Sequence, residues 1–366
     1  MSWSILSRVR LEAGLTDSLD ARVLDRPPAR LRIGLLVPQQ GALAMLAPSV
    51  LDAALLAAHE LNVAGGVRGA FVDLVPVDSG AEASAVAAET RALVAAGAVD
   101  AVVSFCASDV HLAVAQGIAG HTPYVYTPPH EGGPVHGSSV CIGPRPGDQL
   151  RAAIDWLTRT HGLRRWALVG SDYVWPWATH RAARGLLRHR GGSVVLDEFV
   201  PLGAPSGTIE RIVGRLSSTR ADAVIVSLVG RDQMVLHRAM QRVGLDRRVV
   251  RLSGALEENA LLALGGDRTG LLYAAMPSFA SMTDETHLGL LERHAAVLGR
   301  HAPILDSYAE ATYDGLMLVA QVAAHGGLRP DSFTRTAHQV RRRTRRGPAQ
   351  LARADGLELA VVPGLA

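Results

Sequence analysis

Aromatic side chains are concentrated in one short part of the sequence. Only sixteen residues are Phe, Trp or Tyr, and seven of them lie between positions 124 and 177: Tyr124, Tyr126, Trp156, Trp166, Tyr173, Trp175 and Trp177. Tyr126, Tyr173 and Trp175 fall on loops that follow predicted strands. A large ring with one polar atom suits the wall of a small-molecule pocket there, and structural packing is the alternative. Trp156 and Trp166 are expected in the core.

Six segments follow predicted parallel strands, where ligands of open α/β sheets bind. They are Val37–Gly41, Cys106–Ser108, Tyr126–Gly133, Ser171–Pro176, Val229–Arg231 and Ser253–Glu257. A neutral amide needs hydroxyl and backbone partners with apolar walls. A zwitterionic amino acid would also need an acidic partner for its ammonium group. Glu257 and Asp172 are candidates for that partner, and a helix cap or surface position is the alternative for each.

The sequence lacks the residues that several enzyme classes require. All 37 basic residues are arginine, so a Schiff-base lysine and a Walker phosphate loop are excluded. The His-Glu pairs that begin at His59 and His130 lack the second histidine of the zinc motif, and the 14 histidines show no metal-ligand spacing. No G-x-S-x-G or G-x-G-x-x-G motif occurs. We therefore expect a protein that is not an enzyme and uses no metal or cofactor.

Charge and cysteine content predict neither a nucleic-acid partner nor a disulfide framework. The net charge is +3 over 366 residues, which is too weak a field to indicate nucleic acid. The arginine-rich run 341–346 is expected to be a solvated helix end, with an RNA-contacting patch as the alternative. Cys106 and Cys141 are the only thiols and are expected to be reduced and buried.

Short apolar runs alternate with longer amphipathic stretches along the chain, and the pattern restarts after Pro144 and Pro146. Strands are predicted at 31–37, 70–77, 101–105, 123–126, 165–169, 193–200, 223–228, 249–253 and 271–275, and helices at 49–62, 83–96, 110–120, 149–160, 178–190, 208–217, 233–243, 284–300, 307–324 and 330–341. Continuous apolar strands separated by helices indicate parallel sheets buried on both faces. The predicted fold class is α/β, with two doubly wound, Rossmann-like lobes joined by a hinge of several strands.

The predicted organisation has three parts. Residues 1–30 form a polar lead, residues 31–144 with 278–328 form lobe I, and residues 145–277 with 329–366 form lobe II. Charged residues interrupt every apolar stretch of the lead, so no export signal is predicted, and no apolar run approaches the length of a membrane span. We expect a cytoplasmic protein without membrane insertion, if Met1 is the natural start.

Several motifs resemble one family. Residues 170–176 (Gly-Ser-Asp-Tyr-Val-Trp-Pro) with 189–195 (His-Arg-Gly-Gly-Ser-Val-Val), 61–67, 126–132, 220–224 and 308–313 are similar to the type I periplasmic binding proteins. The similarity covers roughly 31–350. The Gly-Ser-Asp-Tyr motif and the Glu-Gly loop resemble the urea- and amide-binding branch, which includes the cytoplasmic amide sensor that negatively regulates aliphatic amidase operons.

The resemblance implies a ligand site. Ser108 corresponds to the serine that contacts the amide in the sensor, Tyr126 to a pocket tyrosine, and Val229-Gly230 to the backbone turn of the second lobe. Trp175 stands where the sensor has tyrosine. Cys106, Pro128 and His130 stand where the sensor has tyrosine, threonine and tyrosine, so the pocket has lost hydroxyl groups and changed in volume.

Two functions are then open. In the first, the protein is a cytoplasmic regulator that binds an antitermination protein and releases it when a short amide or similar small neutral solute binds. In the second, it is the solute receptor of an ABC importer for urea, short amides or branched-chain amino acids, with an ABC permease as its partner. A homodimer is a further expected form of assembly.

Overall fold

The computed structural model describes residues 12–132, 138–344 and 348–364. Its strands are β1 Gly14–Leu15, β2 Arg30–Val37, β3 Phe71–Asp78, β4 Ala101–Ser104, β5 Tyr124–Tyr126, β6 Ser139–Cys141, β7 Arg165–Ser171, β8 Ser193–Val200, β9 Ala223–Ser227, β10 Val250–Ser253, β11 Leu272–Met276, β12 Gln350–Asp355 and β13 Glu358–Val361. Its α-helices are α1 Ser18–Val23, α2 Ala47–Val63, α3 Ala83–Ala95, α4 Ser108–Gly117, α5 Pro146–His161, α6 Val174–His189, α7 Ser206–Ser218, α8 Gly230–Arg242, α9 Glu258–Leu264, α10 Glu285–Leu298, α11 Ser307–Gly326 and α12 Pro330–Thr344.

Lobe I is built on a parallel sheet in the order β1-β3-β2-β4-β5-β6. The strands β2 and β4 are almost wholly buried, since helices cover both faces. Side chains of α2, α11 and α12 form the core on one face, and side chains of α3 and α4 form the core on the other. The pairs Leu36–Ser104 and Ser104–Tyr126 align the carboxyl ends of β2, β4 and β5 at one edge, where post-strand residues meet.

Lobe II is built on a second sheet in the order β13-β12-β11-β10-β9-β7-β8. Strands β7 to β11 pair in parallel, as predicted, whereas β12 and β13 are antiparallel and extend the sheet at one side. The prediction of two α/β lobes is confirmed, with the correction that the second sheet is mixed. The chain crosses between the lobes after β6, after β11 and after α12.

Two predicted boundaries are wrong. Helix α12 was expected in lobe II, but Phe333 and Ala337 are fully buried in the lobe I core beside α11, because the apolar face of α12 packs there. The described part of the lead, residues 12–29, also belongs to lobe I, since β1 pairs with β3 and Ala21 of α1 enters the core. The short strand β6, the helix α9 and the hairpin β12–β13 were not predicted.

The segment Ala44–Val63 is long and apolar enough to cross a membrane, and half of it is buried inside the protein. Its helix α2 packs against α11 and β3, with Ala53, Leu56 and Ala57 fully buried. These contacts are those of a core helix in a globular lobe. Residue 133, the last of the predicted post-strand segment that begins at Tyr126, and the side chains of residues 342–346 in the arginine-rich run lie outside the described residues. Arg341 donates to the carbonyl oxygens of Cys141 and Ile142, each at 3.1 Å.

The lobes meet through an apolar cluster. Val37, Phe105 and Tyr308 of lobe I pack with Leu256 and Met276 of lobe II, and all five are buried. The Phe105 and Tyr308 rings lie with their centroids 5.0 Å apart. The structure is therefore a closed arrangement in which the carboxyl ends of both sheets face each other.

Candidate functional site

One small apolar cluster joins the carboxyl ends of the two sheets. Ala107, which caps α4 in lobe I, packs with Tyr173, Trp175, Val229 and Ala255 of lobe II. The lobe II members come directly after β7, β9 and β10, because each parallel strand ends at this edge and leads into the next helix. We call these five residues the cleft cluster. Of the predicted site residues, Tyr173, Trp175 and Val229 are thus brought together.

Two polar atoms at the cleft cluster are buried without a hydrogen-bond partner. They are the Oγ atom of Ser108, at the start of α4, and the Nε1 atom of Trp175, in the first turn of α6. The two residues come from opposite lobes and are 1% and 3% exposed. A buried donor without a partner costs roughly 1–3 kcal/mol. A ligand between the lobes with one acceptor for each donor would recover that cost.

Tyr126 and Cys106 lie behind Ser108 in the lobe I core rather than in the cleft cluster. The Tyr126 hydroxyl donates to the carbonyl oxygen of Cys106 at 3.0 Å, and the ring stacks on His111 with centroids 3.9 Å apart. Burial raises the pKa of Tyr126 well above its usual value, and the Ser108 hydroxyl opposes that shift, although the geometry between the two hydroxyls does not meet that of a hydrogen bond. The Tyr126 hydroxyl is therefore protonated and already donates its hydrogen to a main-chain carbonyl. Its oxygen can still accept a hydrogen bond.

The Cys106 thiol is a buried, neutral group. Burial raises its pKa to about 12, and the Ser104 hydroxyl lies 3.0 Å from its sulfur. Because the thiolate is the nucleophile, this side chain has no covalent chemistry at neutral pH. Cys106 and Cys141 are both free, as predicted, and Cys141 is half-buried rather than buried.

Gly230 lies where the lobes come closest. Its φ is +53°, and a Cβ atom there would lie 2.1 Å from the carbonyl oxygen of Ala42. Leu43, the next residue of lobe I, packs against the cleft cluster. Gly230 therefore lets the lobe I loop that contains Ala42 and Leu43 approach the turn at the start of α8. This role differs from the predicted one, in which the Gly230 backbone contacts a ligand.

Glu257 is the N-cap of α9. Its two carboxylate oxygens accept from the main-chain amides of Asn259 and Ala260 at 2.6 and 2.8 Å. Burial and the neighbouring Asp306 raise the pKa of Glu257 well above its usual value. Glu257 is therefore a helix cap, which was the alternative to its role as an ammonium partner. Both carboxylate oxygens are already bonded to main-chain amides of the protein. Asp172, the other candidate, accepts from the indole of Trp177 on the outer face of α6.

Pro128 and His130 lie on the loop after β5, toward the crossovers. A Cβ atom on Gly143 would lie 2.0 Å from the Pro128 carbonyl oxygen, so Pro128 packs against the crossover after β6. Burial, Arg145 and Arg341 lower the pKa of His130 to about 4, so the ring is neutral at pH 7. The structure does not place either residue in the cleft cluster.

A cavity of about 950 Å³ opens beside the site on the side of the crossovers. Its walls include Thr127, Glu131, Ser278 and Tyr308. Burial and the nearby Tyr173 raise the pKa of Tyr308 well above its usual value. Among the described residues, no group of three His, Cys, Asp or Glu side chains is placed to hold a metal ion.

Four site neighbours were missed in the sequence: Leu43, Ala255, His111 and Tyr308. Ala255 lies inside a post-strand segment, and Leu43 lies two residues beyond another, so the strand-end rule could have found both. His111 lies one helical turn after Ser108, which is a usable signal. Tyr308 comes from α11 and begins the family-like motif 308–313, but nothing in that motif indicated that its side chain would reach the site.

His180 links α6 to two strands with the atom order of a catalytic triad. Its Nδ1 lies 2.6 Å from the Asp197 carboxylate, and its Nε2 lies 2.9 Å from the Ser227 hydroxyl. Ser227 is fully buried, and a Cβ on Gly170 would lie 2.4 Å from its Oγ, so no space for an acyl group adjoins the hydroxyl. The arrangement therefore serves as a buried hydrogen-bond network rather than as a nucleophile.

Comparison with known proteins agrees with this two-lobed geometry. Residues 30–358 match the family described as periplasmic binding protein. The chain belongs to this family. Its two α/β lobes with largely parallel sheets match the type I structures of the family.

Solved structures of similar fold include substrate-binding proteins of transporters. One is the branched-chain amino acid transporter substrate binding protein LivJ from Streptococcus pneumoniae in complex with isoleucine, with 17% identity, a TM-score of 0.77 and coverage of 91% of this chain and 99% of that one. A second is an ABC transporter solute binding protein from R. palustris in complex with benzoate, with 15% identity, a TM-score of 0.75 and coverage of 92% and 96%. A third is a fatty acid ABC transporter substrate-binding protein from Thermomonospora curvata, with 14% identity, a TM-score of 0.77 and coverage of 92% of both chains.

As a periplasmic binding protein, the chain binds a small molecule. The relatives hold ligands as different as isoleucine and benzoate, so the family alone leaves the chemistry of the ligand open. The chemistry of the ligand must therefore be inferred from the cleft cluster and from the two buried polar atoms, Ser108 Oγ and Trp175 Nε1.

Proposed function

We propose that this periplasmic binding protein senses a short amide or a similar small neutral solute, which it holds between its lobes without chemical conversion. The observation that carries the proposal is the pair formed by Ser108 Oγ and Trp175 Nε1. These atoms belong to opposite lobes, and each is buried without a partner; Trp175 is a member of the cleft cluster, and Ser108 follows its member Ala107 in the chain. A ligand oxygen that accepts from both would tie the lobes together.

A neutral ligand fits these surroundings better than a zwitterion. The five side chains of the cleft cluster are themselves uncharged, although Asp109 and Glu131 lie near enough that their charges add to the rise that burial causes in the pKa of Tyr173. Glu257, the acidic candidate for an ammonium partner, is engaged by two main-chain amides. Since an unpaired buried charge is very costly, an amino acid would have to find its partners outside this cluster.

Ligand size limits the affinity. An amide of about four heavy atoms gains at most roughly 1.5 kcal/mol per atom, or about 6 kcal/mol, which corresponds to a dissociation constant of tens of micromolar. Such a ligand stabilises the closed form by the difference between its affinities for the closed and open forms. A partner that prefers the open form would then be released.

We propose further that the partner is an antitermination regulator protein and that the pair acts in the cytoplasm, as in the amide sensor that the motifs resemble. The motifs Gly170–Pro176 and Tyr126–Gly132 support this branch of the family. Cell fractionation with an antibody to the native protein tests the location.

Calorimetric titration with acetamide, urea and isoleucine tests the ligand proposal. We expect heat from the amide with a dissociation constant of tens of micromolar or weaker, and its loss in Trp175→Ala and Ser108→Ala. Trp177→Ala is the matched control, because this tryptophan lies two residues further along the same helix and is 49% exposed. Unchanged affinity in Trp175→Ala would refute the pocket role.

A receptor for an ABC importer of urea, short amides or branched-chain amino acids is the second candidate. The similar solved structures, with TM-scores of 0.75 to 0.77, are substrate-binding proteins of such transporters and support it. Micromolar binding of isoleucine, together with recovery of the protein outside the cytoplasm, would favour this candidate over the sensor.

A further inference from the structure

One face of α6 carries an exposed aromatic side chain and a row of arginines. Trp177, Arg181, Arg184 and Arg188 follow one another at helical spacing and so lie along one stripe. All four residues are exposed, and Trp177 is 49% exposed. With Phe199 of β8 they line an open groove of about 480 Å³, which we call the α6 groove. Trp175 lies on the opposite side of the helix, in the cleft.

The floor of the α6 groove is held firmly in place. Phe199 stacks on the His180 ring with centroids 4.3 Å apart. His180 is fixed on both sides by the Asp197 carboxylate and the Ser227 hydroxyl. Strand β8, which supplies Phe199, is the edge of its sheet. An aromatic surface of this kind can receive an apolar side chain without reordering, which lowers the entropic cost of binding.

The charge of the α6 groove is unbalanced. Arg184 forms an ion pair with Asp197, and this pair neutralises one arginine. Arg181 and Arg188 make no ion pair within the part of the chain that the structure describes. Two arginines beside an exposed tryptophan are the residue types that dominate protein interfaces. The positive charges of Arg181 and Arg188 would be complemented by carboxylates on the partner.

We propose that the α6 groove binds a short acidic segment of a partner protein, with an apolar side chain between Trp177 and Phe199 and carboxylates on Arg181 and Arg188. The two arginines are seven residues apart on the helix, or roughly 10 Å. An extended segment covers that distance with about three residues. The surface is separate from the ligand cleft, so this inference does not depend on the identity of the ligand.

A protein segment fits better than a nucleic acid. Only two arginines are free of an ion pair in the groove, which would give about two phosphate contacts. Asp197 at the floor of the groove is paired with Arg184, but the Asp172 carboxylate lies at the end of the groove beside Trp177, where a phosphate backbone would be repelled. A peptide with separated carboxylates can avoid Asp172.

Fluorescence anisotropy with a fluorescein-labelled heptapeptide of alternating glutamate and leucine tests the proposal. We expect saturable binding that weakens at least tenfold in Arg181→Glu/Arg188→Glu and in Trp177→Ala, and that weakens with added salt. Arg91→Glu is the matched control, because Arg91 is an exposed arginine on helix α3 of lobe I. It should bind the peptide within twofold of the wild type.

Four outcomes would overturn the proposal: no saturation at about 1 mM peptide, equal loss in Arg91→Glu, tighter binding of a labelled oligouridylate of seven nucleotides, or a sedimenting dimer that the double variant dissociates. Circular dichroism verifies folding, and the single variants Arg181→Gln and Arg188→Gln replace the double variant if it fails to fold. Trp175→Ala should bind the peptide normally, which separates failure of this inference from failure of the ligand proposal.

Discussion

The main-chain amide of Arg231 in lobe II donates a hydrogen bond of 3.0 Å to the carbonyl oxygen of Ala42 in lobe I. The bond is made next to Gly230, whose missing side chain leaves room for the Ala42 carbonyl. The closed arrangement therefore depends on direct contact between main-chain atoms of the two lobes, beside the cleft cluster. A side chain at position 230 would separate these atoms.

Gly230→Ala should hold the lobes apart. The added Cβ would lie 2.1 Å from the Ala42 oxygen, and the φ of +53° adds strain of roughly 1–2 kcal/mol. We expect a larger radius of gyration by small-angle X-ray scattering and at least tenfold weaker ligand binding. Gly214→Ala, on α7 with nothing near its Cβ position, should leave both unchanged. An unchanged radius and affinity in Gly230→Ala would contradict the contact.

The two cysteines should be nearly inert in the native protein. Burial raises the pKa of both thiols to about 12. At pH 8 the thiolate fraction is then about one in ten thousand, against roughly a quarter for an ordinary thiol of pKa ~8.5. We expect the disulfide reagent DTNB to label native protein at least a thousandfold more slowly than protein unfolded in guanidinium. Rapid labelling of one thiol per chain before unfolding would show that Cys141 is more accessible than its position indicates.

The sequence predicted the parallel strands well because each is a continuous apolar run. Leu31–Val37, for example, differs from the observed β2 by one residue at its start. The hairpin β12–β13 was harder, since its polar and apolar residues alternate and its signal is the turn Asp355-Gly356. The sequence did not indicate which of the two lobes α12 packs against. An amphipathic helix shows that one face is buried, but its sequence does not say against which sheet.

The candidate site was likewise predicted only in part from the sequence. Post-strand position predicted Tyr173, Trp175 and Val229, because parallel strands end at a common edge. The cap that Glu257 makes on α9 is a local contact, and the sequence offered it as the alternative role of this residue. The packing of Pro128 against Gly143 depends on the meeting of two loops, which the sequence pattern did not predict.

Asp197→Asn should destabilise the fold at neutral pH and change how the free energy of unfolding depends on pH in the acid range. His180 and Arg184 hold the pKa of Asp197 below its usual value. The stability from this carboxylate is therefore fully present above about pH 4, the pKa in the unfolded chain, and is lost as the pH falls through the lower folded value. We expect a loss of about 1–3 kcal/mol at pH 7 by urea unfolding, shrinking below pH 4.

Asp155→Asn is the matched control for Asp197→Asn. Asp155 forms an ion pair with the exposed Arg190, which solvent screens, so its loss should destabilise the fold much less than the loss of Asp197. Equal losses in the two variants at pH 7, or a difference that persists at pH 2, would show that the His180 network contributes nothing special to stability.

Asn259 joins the lobes at a second place, and its removal should weaken the closed arrangement most at high pH. Its amide donates to the Ile304 carbonyl at 2.9 Å and to the Asp306 carboxylate at 2.6 Å. Burial already raises the pKa of Asp306, and the bond from Asn259 opposes that shift. In Asn259→Ala the pKa of Asp306 should rise further, because the buried carboxylate loses a donor.

A carboxyl group with a raised folded pKa stabilises the fold below its unfolded value near 4 and loses this contribution as the pH rises through the folded pKa. We therefore expect Asn259→Ala to lose about 1–3 kcal/mol of unfolding free energy at pH 8 and less at pH 5, by urea denaturation. Glu257 and Glu258 also titrate with raised pKa values beside Asp306, so Asn259→Ala/Asp306→Asn is the variant that isolates the effect. If the double variant kept the same pH dependence as Asn259→Ala, the effect would have to come from these glutamates instead.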